Sequence, residues 1–273
     1  MILLEALVDD AGLFPPERLA LAPAIERHRR DEARAHPVLT HRFLCPASVV
    51  PRLSAALDEA PLRLGLIADT GPEGLDPALR AVAADPRLVL ETIEVALPAE
   101  GLGGAAVDRL PQPEARLFCE LPRAPGWREA LERIAQRGLG AKIRCGGLSA
   151  ELFPTTDELG AFVHACAALA VPFKATAGLH NAVRHRDPAT GFDHHGFLNL
   201  LIAAVRAARG APVGEVVAAL ATADGAALAA EARGVDEEDA RGARRLLVAY
   251  GSCSTSEPLE DLAALGLVEE VAS

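Results

Sequence analysis

Two lysines stand out in this sequence, because every other cationic residue apart from histidine is an arginine. Of the 27 lysines and arginines, only Lys142 in AKIRCGGL and Lys174 in PFKATAGLH are lysines. An amine can lose its proton, act as a base or condense with a carbonyl, whereas a guanidinium stays protonated. The two lysines end similar apolar runs that lie about 30 residues apart, the length of one βα unit. We therefore predict lysine chemistry, with two structural lysines that pair with carboxylates as the alternative.

The lysine segments belong to a repeating pattern of short apolar runs, each followed by a turn and a helical segment. The runs predict strands at 2–8, 41–46, 62–68, 88–95, 115–121, 140–145, 171–177 and 245–251. Predicted helices lie around 16–35, 48–59, 76–84, 127–137, 155–169 and 258–265. Eight alternating units predict an α/β fold, a single (βα)8 TIM barrel over residues 1–273. An open doubly wound sheet is the alternative, but no GxGxxG motif follows the first strand.

The connection between predicted strands seven and eight is longer than the others. It contains GFLNLLIAAVRAAR and VGEVVAALATADGAALAAEA, which both have helical periodicity. It begins with the polar stretch HNAVRHRDPATGFDHHG, which carries four histidines. We predict a helical insertion over residues 178–244 that acts as a lid on the catalytic face, with a contact between copies of the chain as the alternative.

The predicted barrel brings the two lysines into one site. Active-site residues of this fold lie at the C-terminal ends of the strands. Strand alternation puts Lys142 and Arg144 on one face of strand six, and Lys174 and Thr176 on one face of strand seven. Burial and a neighbouring ammonium both lower the pKa of an amine, so we predict one lysine that is partly neutral near pH 7 and attacks a carbonyl.

Acidic residues and one histidine are the other candidates for proton transfer. Glu94 and Glu120 end strands four and five, where they can move protons or form salt bridges to the cations. Asp9 and Asp10 end strand one; we select Asp10 as a general base, with shaping of the following loop as the alternative. His180 is the histidine nearest the predicted mouth and is a candidate acid or base.

Glycines and serines after the last three strands predict an anion site. Free backbone amides and hydroxyls form concavities that hold phosphate in many barrels, although glycine is also common in ordinary turns. We therefore expect a small anionic substrate with a phosphate group that also contacts Arg42, Arg144 and Thr176. The predicted glycine and serine contacts are Gly146, Gly147, Gly178, Gly251, Ser252 and Ser254.

Composition narrows the choice of partners and compartment. The net charge is −11, and no basic cluster is interleaved with aromatic residues, so we expect no nucleic-acid partner. No apolar run reaches 18 residues, and MILLEALVDD lacks the features of a signal peptide, so we expect no membrane insertion. The five cysteines form no CxxC pair, which is typical of a cytoplasmic protein without a disulfide framework or structural zinc.

Three segments, KIRCGG, KATAGL and YGSCS, resemble the lysine-bearing and phosphate-binding segments of the class I deoxyribose-phosphate aldolase family in order and placement. The resemblance implies a (βα)8 barrel in which Lys142 forms a Schiff base and Lys174 lowers its pKa. Glu94 stands where that family has aspartate, and Arg144 replaces a small hydroxyl residue. The phosphate contacts that the resemblance implies are Gly178, Gly251 and Ser252.

A second resemblance covers nearly the full length of the chain. The sequence is similar to an uncharacterised bacterial TIM-barrel family in LVDDAGLFPP, KIRCGG, PFKATAGLH, HGFLNL and YGSCSTSEPLEDL. This resemblance implies the barrel but no particular reaction.

Together these patterns predict a lysine-dependent, Schiff-base aldolase or lyase, or a related isomerase, that needs no cofactor. One alternative is a barrel hydrolase or lyase that uses a divalent metal. Another is a non-catalytic barrel that binds a phosphorylated metabolite. The candidate metal ligands of the first alternative are Glu94, Glu120, His180, His185, His194 and His195.

Overall fold

Eight parallel strands close into a barrel in the computed structural model, which describes residues 1–188 and 190–269. The strands, including those of a small hairpin, are β1 (Val8–Asp10), β2 (Leu39–Pro46), β3 (Leu62–Ile67), β4 (Leu88–Ala96), β5 (Arg116–Glu120), β6 (Gly140–Arg144), β7 (Phe173–Thr176), β8 (His185–Arg186), β9 (Asp193–His194) and β10 (Leu247–Ser252). The barrel order is β1, β10, β7, β6, β5, β4, β3, β2, and β2 pairs back to β1. This topology confirms the predicted (βα)8 TIM barrel.

Helices alternate with the strands around the barrel. They are α1 (Leu21–Arg34), α2 (Val50–Ala56), α3 (Leu75–Ala83), α4 (Gly104–Asp108), α5 (Trp127–Gln136), α6 (Thr156–Ala168), α7 (Phe197–Ala208), α8 (Val213–Ala221), α9 (Gly225–Arg233), α10 (Glu237–Leu246) and α11 (Ser256–Ala264). None of these helices is long and apolar enough to span a membrane.

Seven barrel strands lie within two residues of their predicted bounds, but the first does not. Residues 2–4 form a 3-10 turn, and the strand is Val8–Asp10 rather than 2–8. Leu3, Leu4 and Leu7 are fully or almost fully buried, and the turn packs against α10. The apolar run therefore packs beside the barrel as a turn instead of adding to its wall, a difference that hydrophobicity alone does not reveal.

Apolar side chains on the outer faces of the strands pack against the helices. Phe173 on β7 meets Phe162 of α6 edge to face, with ring centroids 5.4 Å apart. Tyr250 on β10 stacks on Phe197 of α7 at 5.2 Å. Contacts of this kind form one continuous apolar core between barrel and helices, and burial of that area supplies most of the favourable free energy of folding.

The barrel interior is filled differently, with one aromatic ring below a layer of charged residues. Phe118 on β5 is fully buried, and the ammonium of Lys174 lies 5.7 Å from the centre of its ring. Gly140 on the neighbouring strand leaves the space that this ring occupies, because a Cβ there would lie 2.4 Å from Cδ1 of Phe118. Glycine at position 140 thus makes room for the Phe118 ring beneath the charged side chains.

We expect Gly140→Ala to lower the free energy of unfolding by about 1–3 kcal/mol, because the added methyl group overpacks the barrel interior. Chemical denaturation measures the effect. Gly214→Ala on α8 is the matched control: its Cβ meets no atom within 4 Å, and alanine there should raise stability by roughly 0.5–1 kcal/mol. Equal effects of the two substitutions would contradict this account of Gly140.

In its described residues, the long connection between β7 and β10 contains the β8–β9 hairpin and helices α7 to α10. Helix α8 packs against α6 and α7, and α10 packs against α7 and the turn at residues 2–4. Helix α10 leads directly into β10. The role of residues 178–244 as an inserted lid stays a prediction.

Candidate active site

The two lysines lie side by side in the barrel interior. Lys142 on β6 is the register partner of Lys174 on β7, and Glu120 on β5 is the partner of Lys142. Side chains in register on parallel strands point to the same face, so all three point into the barrel. Lys142 is 6% exposed and Lys174 only 1%.

One carboxylate, that of Glu94 on β4, bridges the two ammonium groups. Its Oε2 lies 2.7 Å from Nζ of Lys142, and its Oε1 accepts a short hydrogen bond from Nζ of Lys174. Each lysine has a second carboxylate partner: Glu120 Oε2 lies 2.9 Å from Lys142, and Asp9 Oδ2 lies 2.5 Å from Lys174. Two buried acids, Glu94 and Asp9, and the partly buried Glu120 therefore surround two buried amines.

Two arginines extend this arrangement to either side. Arg144 donates from Nε to Glu120 at 3.0 Å, and its side chain is 44% exposed. On the other side, Arg42 donates to Asp9 at 2.8 Å and to Glu91 at 2.9 Å. We call the set Arg144, Glu120, Lys142, Glu94, Lys174, Asp9, Arg42 and Glu91 the charged network. Its charges alternate in sign along this series.

The surroundings hold Lys142 in its protonated form. Burial opposes its charge, but the carboxylates of Glu94 and Glu120 outweigh that effect and raise the pKa of Lys142 above its ordinary value. The prediction that Lys174 lowers the pKa of Lys142 is therefore wrong, because the Glu94 carboxylate lies between the two ammonium groups. Burial likewise opposes ionisation of Glu94, and the two lysines overcome it and lower the pKa of Glu94 to about 2.

The Glu94 carboxyl makes the free energy of unfolding depend on pH in the acid range. A group whose pKa is lower in the folded state stabilises the fold above its unfolded pKa, and that contribution is lost as the pH falls through the folded pKa. For Glu94 the window runs from 4.5 down to a pKa of about 2. We expect the free energy of unfolding to fall by on the order of 3 kcal/mol across it, measured by urea denaturation. An unchanged pH dependence in Glu94→Gln would contradict this assignment.

Asp10, the predicted general base, does not join the lysines. It follows Asp9 on β1 and points to the opposite face, where its carboxylate contacts Nδ1 of His28 at 3.0 Å and Arg27 at 2.5 Å. It also accepts the amide of Gly12 at 3.0 Å. Burial is outweighed by these partners, and the pKa of Asp10 is lowered. These contacts tie helix α1 to the barrel wall, and the aspartate that contacts a lysine is Asp9.

His180 lies outside the charged network. Its Nδ1 is 3.7 Å from Sγ of Cys253 and 3.8 Å from the carboxylate of Glu257. Burial lowers the pKa of His180, so the imidazole is neutral at pH 7. The acid or base role of His180 stays a prediction. None of these contacts links His180 to either lysine.

The glycines after β6 and β7 permit two backbones to touch. A Cβ on Gly146 would lie 2.7 Å from Cα of Gly178, and Gly178 has a φ of +69° that favours glycine. Gly147 leaves room for the side chain of Leu152. Close backbone approach accounts for Gly146 and Gly178, and phosphate binding by these glycines stays a prediction.

The predicted phosphate contacts on and after β10 do not all face the barrel interior. Gly251 is the register partner of both Asp9 and Thr176, and it lies on the inner face. Ser252 pairs with Asp10 and shares its outer face, and its hydroxyl is buried without a hydrogen-bond partner among the described residues. Ser254 accepts the amide of Glu257 at 3.2 Å at the start of α11. Gly251 and Thr176 therefore face the site, whereas Ser252 points away from it.

The predicted metal ligands do not form one site. Glu94 and Glu120 bind lysines, whereas His185 and His194 come together with Asp187 on the hairpin. His195 is fully buried, its Nε2 lies 2.7 Å from the carbonyl oxygen of Pro154, and burial lowers its pKa to about 4. No mixed group of these histidines and the barrel glutamates occurs in the described part of the chain.

Sequence reasoning missed three polar residues. Thr40 donates to Asp9 at 2.7 Å, and Glu91 binds Arg42. Glu91 is the extra residue at a break in the β3–β4 register, which lies between the Leu64–Leu90 and Gly65–Thr92 pairs. A bulge of this kind redirects a side chain and leaves no signal in the sequence. Asp187 had a signal, because it stands two residues after His185 in a predicted polar stretch.

No family model matches the sequence, and no curated protein matches it. Among solved structures, the chain is similar to Yersinia pestis DHPS with a pterine-sulfa conjugate. The similarity covers 96% of this chain and 93% of that one, at 11% sequence identity and a TM-score of 0.44.

Proposed function

We propose that the protein is a lysine-dependent aldolase or lyase that forms an imine between Lys142 and the carbonyl of a small anionic substrate. The observation that carries this proposal is the Glu94 carboxylate, which contacts both ammonium groups inside the barrel. The second lysine keeps the shared carboxylate ionised at rest, so that it is ready to accept a proton from the first lysine. That is the arrangement a buried amine needs before it can act as a nucleophile.

Position favours Lys142 as the nucleophile over Lys174. Lys174 is 1% exposed and lies between two acids that are themselves buried. Lys142 lies beside Glu120, which is 14% exposed, and Glu120 in turn contacts the exposed Arg144. Lys142 is therefore the amine nearer to solvent, and Arg144 is the cation available to an arriving anion.

The imine step begins with proton transfer from the ammonium of Lys142 to Glu94 or Glu120. Neutralising one of these carboxylates removes an attraction that raises the pKa of Lys142, and burial then favours the neutral amine. The amine adds to the carbonyl carbon, and loss of water gives a protonated imine. This cation accepts the electron pair of the bond between its α and β carbons, and that bond breaks to leave an enamine. A base takes the proton of the β-hydroxyl group, whose oxygen becomes the carbonyl oxygen of the released fragment. Protonation of the enamine and addition of water then release the product and restore Lys142.

Borohydride trapping tests the proposal directly. The protein is incubated with a panel of aldehydes, ketones and sugar phosphates, reduced, and analysed by intact mass and peptide mapping. Because the chain has only two lysines, a stable adduct can lie only on Lys142, Lys174 or the N-terminus. We expect an adduct on Lys142 with a subset of the panel. No adduct on either lysine with any carbonyl would overturn the proposal.

A further inference from the structure

The β8–β9 hairpin gathers three metal-binding side chains on one face. His185 and His194 are register partners across the antiparallel pair, so their side chains lie on the same side of the hairpin. Asp187 directly follows β8, two residues beyond His185. One ligand atom from each of the three residues lies within 4.8 Å of the others.

We propose that His185, Asp187 and His194 bind a divalent transition metal of the zinc type. Two imidazoles and one carboxylate are the donor set that such ions prefer, and calcium or magnesium sites use oxygen donors instead. Three protein ligands leave the remaining positions to water. The single carboxylate offsets part of the charge of the ion.

The two imidazoles each have a nitrogen that can bind a metal. His185 donates from Nδ1 to the carbonyl of Val183 at 3.1 Å, which leaves the Nε2 lone pair free for a metal. His194 Nε2 is buried and has no hydrogen-bond partner among the described residues. Buried polar atoms are nearly always paired in native proteins, so this nitrogen is suited to binding an ion.

The carboxylate has the supporting contacts that metal ligands commonly have. Oδ1 of Asp187 accepts the amide of Thr190 at 2.7 Å and the hydroxyl of Thr190 at 3.0 Å. The hairpin turn itself is closed by backbone hydrogen bonds from Asp187 to Phe192 and from Gly191 to Asp187. Such outer contacts fix the direction of a ligand and raise metal affinity.

The site lies where the hairpin meets the loop after β6. Phe153 of that loop packs against His194 with ring centroids 4.7 Å apart, and against Phe192 at 5.6 Å. The same loop contains Gly146, and a Cβ there would lie 2.8 Å from the ring of Phe153. A bound ion would therefore make the hairpin more rigid beside the segment that follows the strand of Lys142. It would do so without using any member of the charged network.

Metal titration of the chelator-treated full chain tests this proposal. With Zn²⁺ in isothermal titration, we expect one ion per chain, and Mg²⁺ should not compete. His185→Ala and His194→Ala should each weaken Zn²⁺ binding at least about 100-fold, since even outer-shell partners contribute 10–100-fold. His164→Ala on α6 is the matched control and should bind as the wild type does. Binding that is absent in the wild type, or unchanged in His185→Ala and His194→Ala, would overturn the proposal.

The rate of trypsin cleavage at the hairpin is a second test, which locates the metal site without a measured affinity. Arg186 is 72% exposed and precedes the ligand Asp187, so cleavage after it should slow when Zn²⁺ is bound. The protection should disappear in His194→Ala and persist in His164→Ala. Circular dichroism spectra equal to wild type would show that the variants fold. Equal cleavage rates with and without saturating Zn²⁺ would contradict a site at the hairpin.

Discussion

Replacing Lys142 with arginine is expected to abolish the borohydride-trapped adduct and to lower turnover of any substrate found by trapping at least about 1000-fold. Arginine keeps the positive charge that Glu94 and Glu120 face, so the charged network retains its balance. A guanidinium does not form an imine, however, because it does not lose its proton in proteins. Intact mass after reduction and steady-state kinetics measure the two effects.

Lys174→Arg is the matched control for this experiment. It replaces the other lysine of the chain in the same layer, and we expect the adduct on Lys142 to persist, although it should form more slowly. An adduct that survives in Lys142→Arg and disappears in Lys174→Arg would assign the nucleophile to Lys174. Circular dichroism and thermal unfolding of both variants separate loss of chemistry from loss of fold.

Glu94→Gln is expected to lower the free energy of unfolding by about 3–5 kcal/mol, because it removes the shared partner of two buried ammonium groups. The amide fits the same space but carries no charge. Each lysine then has a single carboxylate, Glu120 or Asp9, to offset its burial. Urea denaturation near pH 7 measures the change.

Glu91→Gln is the control, since Glu91 ends the same network and is 24% exposed. Solvent screens its pairs, and we expect a loss of no more than about 1 kcal/mol. The Glu94 substitution should also lower the pKa of Lys142, because one of the carboxylates that raise it is gone. Trapping at Lys142 should then begin at a lower pH than in the wild type. A similar loss of stability in both variants would contradict the central role of Glu94.

The arrangement of the two lysines could be predicted because it depends only on strand order and alternation. Lys142 and Lys174 occupy equivalent places in successive βα units, and the observed register aligns them directly. Glu94 and Glu120 could be placed at the same mouth for the same reason. Sequence did not reveal which oxygen faces which nitrogen. The direction of the pKa shift at Lys142 was therefore predicted with the wrong sign.

The choice between Asp9 and Asp10 shows a second limit of prediction from the sequence. With the strand predicted at 2–8, both aspartates follow its end, and alternation does not assign either of them to a face. The observed strand, Val8–Asp10, includes both and directs Asp9 to Lys174 and Asp10 to His28. Leu3 and Leu4 belong to a buried turn that packs against α10, and such tertiary packing cannot be read from the apolar pattern.

The adjacent residues Asp9 and Asp10 also favour the correct register of β1 when the barrel closes. Strand β1 has three residues and joins the last strand to the second, so few hydrogen bonds define its position. A slip of one residue in one direction would put Ala11 opposite His28 and Arg27, and in the other it would put Val8 opposite Lys174. Either slip removes one carboxylate partner from a cation, from Arg27 in the first case and from Lys174 in the second. Two adjacent acids with separate partners thus favour the correct closure of the barrel electrostatically.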